Sequence, residues 1–160
     1  MGQHKLYQHV DKRCEKEAGA PVAQVAALLF LVKRDGCLLK ELGKALNLNN
    51  SAMTGLSNRL EANGLANKKP CSVDGRASRL YITAKGRDVL SASFPLMNEM
   101  NERIQAQFSP EELDVVARFL NHLIERFWVV GASHIFVCFM LVGTASHILL
   151  GREEKPWVNF

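Results

Sequence analysis

Short polar side chains cluster on one side of a candidate helix near the middle of the chain. Between residues 49 and 65, Met53, Leu56 and Leu60 recur at helical spacing and predict a buried face. The other side carries hydroxyl and amide groups and one guanidinium, where a purely solvated helix would usually carry lysine and glutamate pairs. Such short groups can approach base edges and phosphates in a DNA groove. We therefore expect DNA contacts from Asn50, Ser51, Ala52, Thr54, Ser57, Asn58 and Arg59.

Two of these residues have more specific expected roles. Ala52 is placed to meet a thymine methyl group, because small apolar side chains make that contact in the major groove. Arg59 is expected to support contacts with the DNA backbone, and bracing of the fold is the alternative role for its side chain.

Local signals fix the ends of this helix and predict a second helix before it. Asn49 or Asn50 can cap its start, and Gly64 can adopt the left-handed conformation that ends it. Residues 38–46 form a shorter amphipathic helix, and residues 47–49 form the turn between the two, with Leu48 as its apolar plug. Two short helices joined by a tight turn are typical of a helix-turn-helix DNA-binding unit.

A basic hairpin is expected after the second helix. The Asp74-Gly75 pair indicates a turn between two strands, and residues 79–83 alternate polar with apolar at period two. The hairpin would carry four cations beside the polar helix, so it could lie along the phosphate backbone or enter the minor groove. These cations are Lys68, Lys69, Arg76 and Arg79.

Residues 74–86 resemble the wing of the MarR (multiple antibiotic resistance) regulators, with an Asp-x-Arg tip, an apolar strand and a Lys-Gly pair opening the next helix. Residues 60–65 match the family's Leu-Glu-x-x-Gly-Leu. The resemblance covers about residues 5–127. It implies a mainly α fold with a small β-hairpin wing: a winged helix-turn-helix domain with N- and C-terminal dimerisation helices. It also implies that Asp74 holds Arg76 in place, and that a homodimer binds a pseudo-palindromic operator in double-stranded DNA.

Four regions follow along the chain. Residues 1–34 are expected to form dimerisation and support helices, residues 35–90 the winged helix, residues 91–127 the C-terminal dimerisation helices, and residues 128–160 a hydrophobic extension. Thr83 can cap a long helix, with a bend or interruption at Pro95. Residues 109–112, Ser-Pro-Glu-Glu, predict a capping box that starts the last helix.

Charge is concentrated on the expected DNA-binding region. Between Lys33 and Leu90 there are eleven Lys and Arg against five Asp and Glu, a net +6 within a chain whose net charge is +4. Such a basic segment is the electrostatic footprint of a nucleic-acid surface. The alternative, that the winged helix is a protein-interaction module, is disfavoured because the cations coincide with the motif.

Catalytic and metal chemistry lacks a supporting pattern. The five histidines lack the spacing of metal ligands, and no set of acid, base and nucleophile emerges. We therefore expect no enzymatic activity, no bound metal and no cofactor. The four cysteines are widely spread, which fits a reducing cytoplasm. Cys14 is expected to be a packed thiol. Cys71 is expected to be exposed, with a pKa lowered by Lys68 and Lys69, and a redox role there is a hypothesis.

The family resemblance further implies a repressor that is relieved by a small aromatic or phenolic acid bound between the dimer helices and the DNA-binding lobe. Tyr7, Val25 and Phe30 would form its apolar walls, and Lys5 and Arg13 would be its anion partners. The ligand would favour a dimer whose recognition helices are misplaced for the operator.

A segment without any Asp, Glu, Lys or Arg occupies residues 127–150. Its 24 residues are long enough to cross a bilayer core of about 30 Å as a helix. Three interpretations stay open: a buried extension of the dimer core, an anchor in the inner membrane, or a non-native tail. A membrane-tethered regulator would keep the DNA function and change only its location.

Overall fold

A computed structural model describes residues 2–127, with side chains from residue 8 onward except at 104, 120, 121 and 123–127. The order of elements confirms a mainly helical winged helix-turn-helix fold. The helices are α1 (Gly2–Ala18), α2 (Val22–Lys33), α3 (Leu39–Ala45), α4 (Asn50–Ala62), α5 (Ala84–Gln105) and α6 (Pro110–Phe127). The strands are β1 (Cys37–Leu38), β2 (Ala66–Pro70) and β3 (Ser78–Ile82).

The strands form one small antiparallel sheet in the order β1-β3-β2. The hairpin of β2 and β3 is the predicted wing, with Lys68 opposite Leu80 and Lys69 opposite Arg79. Strand β1 was not predicted, and it pairs Cys37 with Leu80 and Leu38 with Arg79. Strand β3 is therefore the central strand, bonded on both edges.

Two separate clusters of buried side chains hold the helices together. The larger one lies under the winged helix, where α2 is apolar on most sides and packs against α4 and β3 through Leu28, Leu56, Leu60 and Leu80. The smaller one joins α1 to α5 and the start of α2. It contains Val10, Cys14, Val22, Leu96, Met97 and Met100. The winged helix and the α1–α5 pair thus have distinct cores.

The helix starts follow the predicted caps. The Thr83 hydroxyl oxygen accepts a hydrogen bond from the Gly86 amide at 3.0 Å, which caps α5. Ser109 and Glu112 exchange hydrogen bonds before α6, as the capping box requires. The expected interruption at Pro95 is wrong, because α5 continues through it. Pro95 lies on the exposed side, where water can bond the carbonyl group that loses its amide partner.

Within residues 2–127, no helix is both long and apolar enough to cross a bilayer. Residues 128–150, on which the membrane and dimer-extension interpretations depend, lie outside the described part of the chain. The boundaries of the four regions, and the dimerisation role of the terminal helices, stay predictions.

Candidate nucleic-acid interface

Helix α4 is fixed at both ends by the residues that the sequence indicated. The Asn49 carboxamide oxygen accepts a hydrogen bond from the Ala52 amide at 2.8 Å, which makes Asn49 the N-cap. Gly64 has a φ of +68°, the left-handed conformation that glycine adopts most readily after a helix. Because its apolar residues are buried, α4 has one orientation against the core and presents a defined outer face.

The outer face of α4 carries most of the predicted DNA-contacting residues. Thr54 occupies the middle of this face, and its hydroxyl donates to the Asn50 carbonyl oxygen at 2.8 Å. Its one hydroxyl hydrogen is therefore engaged, and the oxygen keeps its lone pairs for an outside donor. The exposed residues are Asn50, Ser51, Ala52, Thr54, Asn58 and Arg59.

The prediction that Ser57 faces the major groove of DNA is wrong. Its side chain is 1% exposed, and its hydroxyl donates to the Thr54 carbonyl oxygen at 2.9 Å. The buried side of α4 includes Ser57 next to Leu56, so it is wider than the apolar stripe alone. A small hydroxyl residue fits this boundary because the preceding helical turn satisfies its hydrogen bond.

Lys68 of β2 links the wing to α4. Its ammonium nitrogen lies 3.0 Å from the Asn58 carboxamide oxygen and 3.9 Å from a Glu61 carboxylate oxygen. The Lys68 backbone amide also donates to Glu61, at 3.4 Å. The first strand of the wing is therefore held against the second half of α4.

The wing tip is a short hydrogen-bonded turn. The Ala77 amide donates to the Asp74 carbonyl oxygen at 2.9 Å, and the Arg76 amide donates to the Asp74 carboxylate at 3.0 Å. Asp74 thus fixes the backbone of Arg76 and leaves the Arg76 side chain exposed. The Lys69 ammonium lies 5.2 Å from the centre of the Tyr81 ring, within the range of a cation–π contact.

Arg79 does not provide the free wing cation that the sequence predicted. One of its terminal guanidinium nitrogens donates to the Gly36 carbonyl oxygen at 2.7 Å, and its side chain is only partly exposed. Because β3 is the central strand, Arg79 lies beside both β1 and β2 rather than at the wing tip. Its side chain braces the sheet.

A groove of about 880 Å³ separates α3 and α4 from the wing. Apolar residues, including Leu39, Leu48 and Met53, contribute to its lining together with polar and charged groups. Two of its lysines were missed by the sequence analysis, although their spacing places Lys40 and Lys44 on one face of α3. Four cations against one carboxylate make this groove positive and suited to a polyanion. They are Lys40, Lys44, Lys68 and Arg76, and the acid is Asp74.

A sequence model of the MarR family matches residues 21–78, which run from the start of α2 to the start of β3. The winged helix of this chain is therefore similar to those of MarR-family proteins. The fold extends beyond the matched residues, since solved structures of similar proteins cover more of the chain.

Three of those structures show the range of similarity. MepR from S. aureus, solved as a DNA complex, is 22% identical, with a TM-score of 0.68 over 76% of this chain and 89% of that chain. Sco3205 from Streptomyces coelicolor, also bound to DNA, is 22% identical, with a TM-score of 0.69 over 76% and 78%. PcaV from the same organism, solved with its natural ligand, is 26% identical, with a TM-score of 0.59 over 64% and 73%. These similarities establish the shared fold.

Cys71 is buried rather than exposed, with 6% of its surface accessible. Its pKa is lowered, as expected, but the causes are the backbone amides of Asp74 and Val73 and the side chain of Arg79. The predicted roles of Lys68 and Lys69 in this shift are therefore wrong. Cys14 is packed, as predicted, and burial raises its pKa to about 11.

The candidate effector-binding residues do not line one cavity within the part of the chain that the structure describes. Arg13 donates to Glu17 at 2.8 Å and to Glu99 at 2.9 Å. The guanidinium that was predicted to bind the anion of a ligand therefore pairs with two carboxylates of the protein. Val25 is 5% exposed within the larger core, and Phe30 packs against that core. The side chains of Lys5 and Tyr7 lie outside the described residues. The assignment of Arg13 to ligand binding stays a prediction, and its guanidinium already bridges α1 and α5.

Proposed function

We propose that this protein is a sequence-specific DNA-binding transcriptional regulator that acts as a homodimeric repressor. The observation that carries the proposal is the exposed polar face of α4 beside a groove with four cationic side chains. Short donors and acceptors read base edges, whereas flanking cations hold the phosphates and set the register. The match of residues 21–78 to the MarR family supports the same function.

In the proposed complex, α4 enters the major groove and the wing follows the adjacent backbone. Ser51, Thr54 and Asn58 recur along one exposed side of α4, so they would follow the base edges. Arg76 would meet a phosphate, because the Asp74 turn holds its backbone while its side chain stays free to extend. Ala52 would contact a thymine methyl group, and Arg59 the DNA backbone.

The exposed apolar side chains of α6 support a homodimer. Val115, Val116 and Phe119 are 55%, 41% and 61% exposed, although apolar groups of this size gain free energy when they are buried. A second copy of α6 would cover them. A two-fold dimer would place its recognition helices about one DNA turn apart, roughly 34 Å, and would require a pseudo-palindromic operator.

Relief by a small aromatic or phenolic acid is the regulatory part of the proposal. PcaV, one of the proteins similar to this chain, was solved with a natural ligand. Here the ligand would shift the population toward a dimer whose two α4 helices do not match the operator spacing. Arg13 pairs with Glu17 and Glu99, so a ligand anion at Arg13 would have to compete with two carboxylates.

The test is binding of full-length protein to promoter and random DNA across a salt series. We expect steeply salt-dependent binding, with a preference for a palindromic site. Arg76→Ala should weaken binding to all sequences and reduce the slope of log K against log salt by about 1.

The matched control is Lys12→Ala, which removes an exposed cation from α1, away from the proposed interface, and should leave the slope unchanged. If the folded wild-type protein shows no salt-dependent DNA binding, the proposal is wrong and the protein-interaction alternative takes its place. A slope that responds equally to both substitutions would refute the placement of Arg76 on a phosphate.

A further inference from the structure

Asn58 and Lys68 come from different elements and form one exposed polar pair. The Lys68 ammonium lies 3.0 Å from the Asn58 oxygen, and Glu61 holds the backbone of Lys68 from the next turn of α4. The Lys68 side chain keeps 30% of its exposure, and Asn58 is exposed. The pair is therefore held in place by contacts within the fold and is accessible from solvent.

The chemistry of the pair fixes which way the carboxamide points. An ammonium has three hydrogen-bond donors and no acceptor, so only the oxygen of Asn58 can face Lys68. The amide nitrogen of Asn58, with its two hydrogens, is then the end of the group that remains free. Asn58 and Lys68 together present donors to an approaching ligand, and the Lys68 ammonium already occupies one of the two lone pairs of the Asn58 oxygen.

We propose that Asn58 and Lys68 form a donor-rich reading unit that selects guanine over adenine at one operator position. This inference rests on the proposed DNA-binding function and specifies which base the site reads. Asparagine alone pairs with adenine, by donating to N7 and accepting from the N6 amino group. In this protein the adenine amino group would have to approach an oxygen that is already bonded to a cation. Guanine instead offers two acceptors, O6 and N7, which suit the amide and ammonium donors.

The location of the pair is consistent with base reading. Asn58 follows Ser51 and Thr54 along the exposed side of α4, at helical spacings of three and four residues. Lys68 and Thr54 both line the positive groove between α4 and the wing. A base edge that reaches Thr54 therefore has the Asn58–Lys68 pair next to it, on the side of the wing.

The test uses full-length protein and binding sites selected from a randomised duplex library. Each half-site position is then changed to all four bases, and affinities are compared at one salt concentration. For the wild-type protein we expect one position where guanine is preferred to adenine by roughly tenfold, the size of a good base contact. Asn58→Ala should remove that preference. Lys68→Met should free the Asn58 oxygen and shift the preference at the same position toward adenine.

Two further variants separate base reading from charge and folding. Lys68→Arg retains a cationic donor and should keep the guanine preference. Lys44→Met removes another cation that lines the same groove, so it should lower the salt slope while leaving every base preference unchanged. Urea unfolding of each variant shows whether the winged helix is intact, and Lys68→Arg provides the second test if Lys68→Met fails to fold.

The pairing is refuted if Asn58→Ala removes the preference for guanine but Lys68→Met leaves that preference unchanged. It is also refuted if the wild-type protein selects adenine at that position, or if neither substitution changes any preference. These results all require sequence-specific binding, so they leave the proposed function standing. Absence of salt-dependent DNA binding by the wild-type protein would instead remove the proposed function, and this inference with it.

Discussion

Gly86 lies in close contact with the backbone at Leu65, so a single methyl group there should be costly. A Cβ atom at this position would overlap the Leu65 carbonyl oxygen and would lie 3.0 Å from both Ile82 and Leu28 side-chain carbons. The Leu65 oxygen belongs to the backbone and cannot move away by rotating a side chain. Gly86→Ala must therefore shift the start of α5 relative to the segment that leads into β2.

The expected destabilisation combines two opposing effects. Overpacking a close contact costs about 1–3 kcal/mol, and a rigid backbone obstacle places this site near the upper value of about 3 kcal/mol. Replacing glycine by alanine in a helix returns at most about 1 kcal/mol. We expect Gly86→Ala to lower the free energy of unfolding by about 2 kcal/mol.

The same substitution in α4 provides a matched control. A Cβ atom at Gly55 would have one neighbour within 4 Å, an Arg59 guanidinium nitrogen at 3.8 Å, and that side chain is flexible. Gly55→Ala should therefore stabilise the protein by about 1 kcal/mol, and the two variants should differ by about 3 kcal/mol. Because the stability of the proposed dimer would depend on concentration, urea unfolding is measured at one protein concentration for all three proteins.

The opposite signs make the reasoning easy to refute. If Gly86→Ala is as stable as the wild-type protein, the contact with the Leu65 carbonyl does not constrain the junction. If Gly55→Ala is also destabilising, the loss at Gly86 cannot be assigned to that contact alone.

Three other perturbations test separate parts of the structure. Asn49→Ala should lower the free energy of unfolding by about 1 kcal/mol through loss of the N-cap, whereas Asn67→Ala on exposed β2 should have little effect in the same urea titration. At pH 8, iodoacetamide should label Cys71 before Cys14 and Cys37, because thiolates react and burial raises the pKa of the latter two to about 11; peptide mass spectrometry showing Cys14 labelled first would contradict this. The hydrogen bond from Arg13 lowers the pKa of Glu99 below its ordinary value of 4.5, so the stability it supplies is complete above that pH and lost as pH falls through the lowered pKa. Glu99→Gln should therefore lose less stability than the wild-type protein between pH 7 and pH 3, and equal losses in urea unfolding would refute the coupling.

Local patterns predicted the parts of the interface that short-range forces determine. Asn49 caps α4 and Gly64 ends it because capping and left-handed backbone depend on residue type alone. The Asp74 turn is local in the same sense. These signals were sufficient to place the polar face of α4 beside a basic hairpin.

The errors at Arg79 and Cys71 share one physical cause. Strand β1 is two residues long, so it has no alternation that a sequence pattern could reveal. Its pairing makes β3 a central strand and brings the Gly36 carbonyl to Arg79, which then lies beside Cys71. A contact between positions 36 and 79 cannot be read from local spacing.

The sequence did not predict the surroundings of Ser57 and Arg13, because tertiary packing determined them. The buried side of α4 is wider than its apolar stripe, so a serine beside Leu56 is enclosed. Arg13 meets Glu99 only because α1 packs along α5, a pairing between residues that are far apart in the chain. Helical periodicity predicts which side of its own helix a side chain lies on. It does not predict how deeply other elements bury that side chain or which distant residues it contacts.

The junction at Thr83 couples a tilt of α5 to a displacement of α4. The Thr83 hydroxyl donates to the Gly64 carbonyl oxygen at 2.8 Å, and Lys85 donates to the Asn63 carbonyl oxygen at 2.9 Å, so the end of α4 is pinned to the start of α5. Helix α5 has 22 residues, which gives an arm of about 33 Å at 1.5 Å per residue. A tilt of about 5° about its far end would displace the pinned end by about 3 Å, close to the 3.4 Å rise of one base pair. In the proposed complex, a tilt of this size would therefore change the register of α4 on DNA by nearly one base pair.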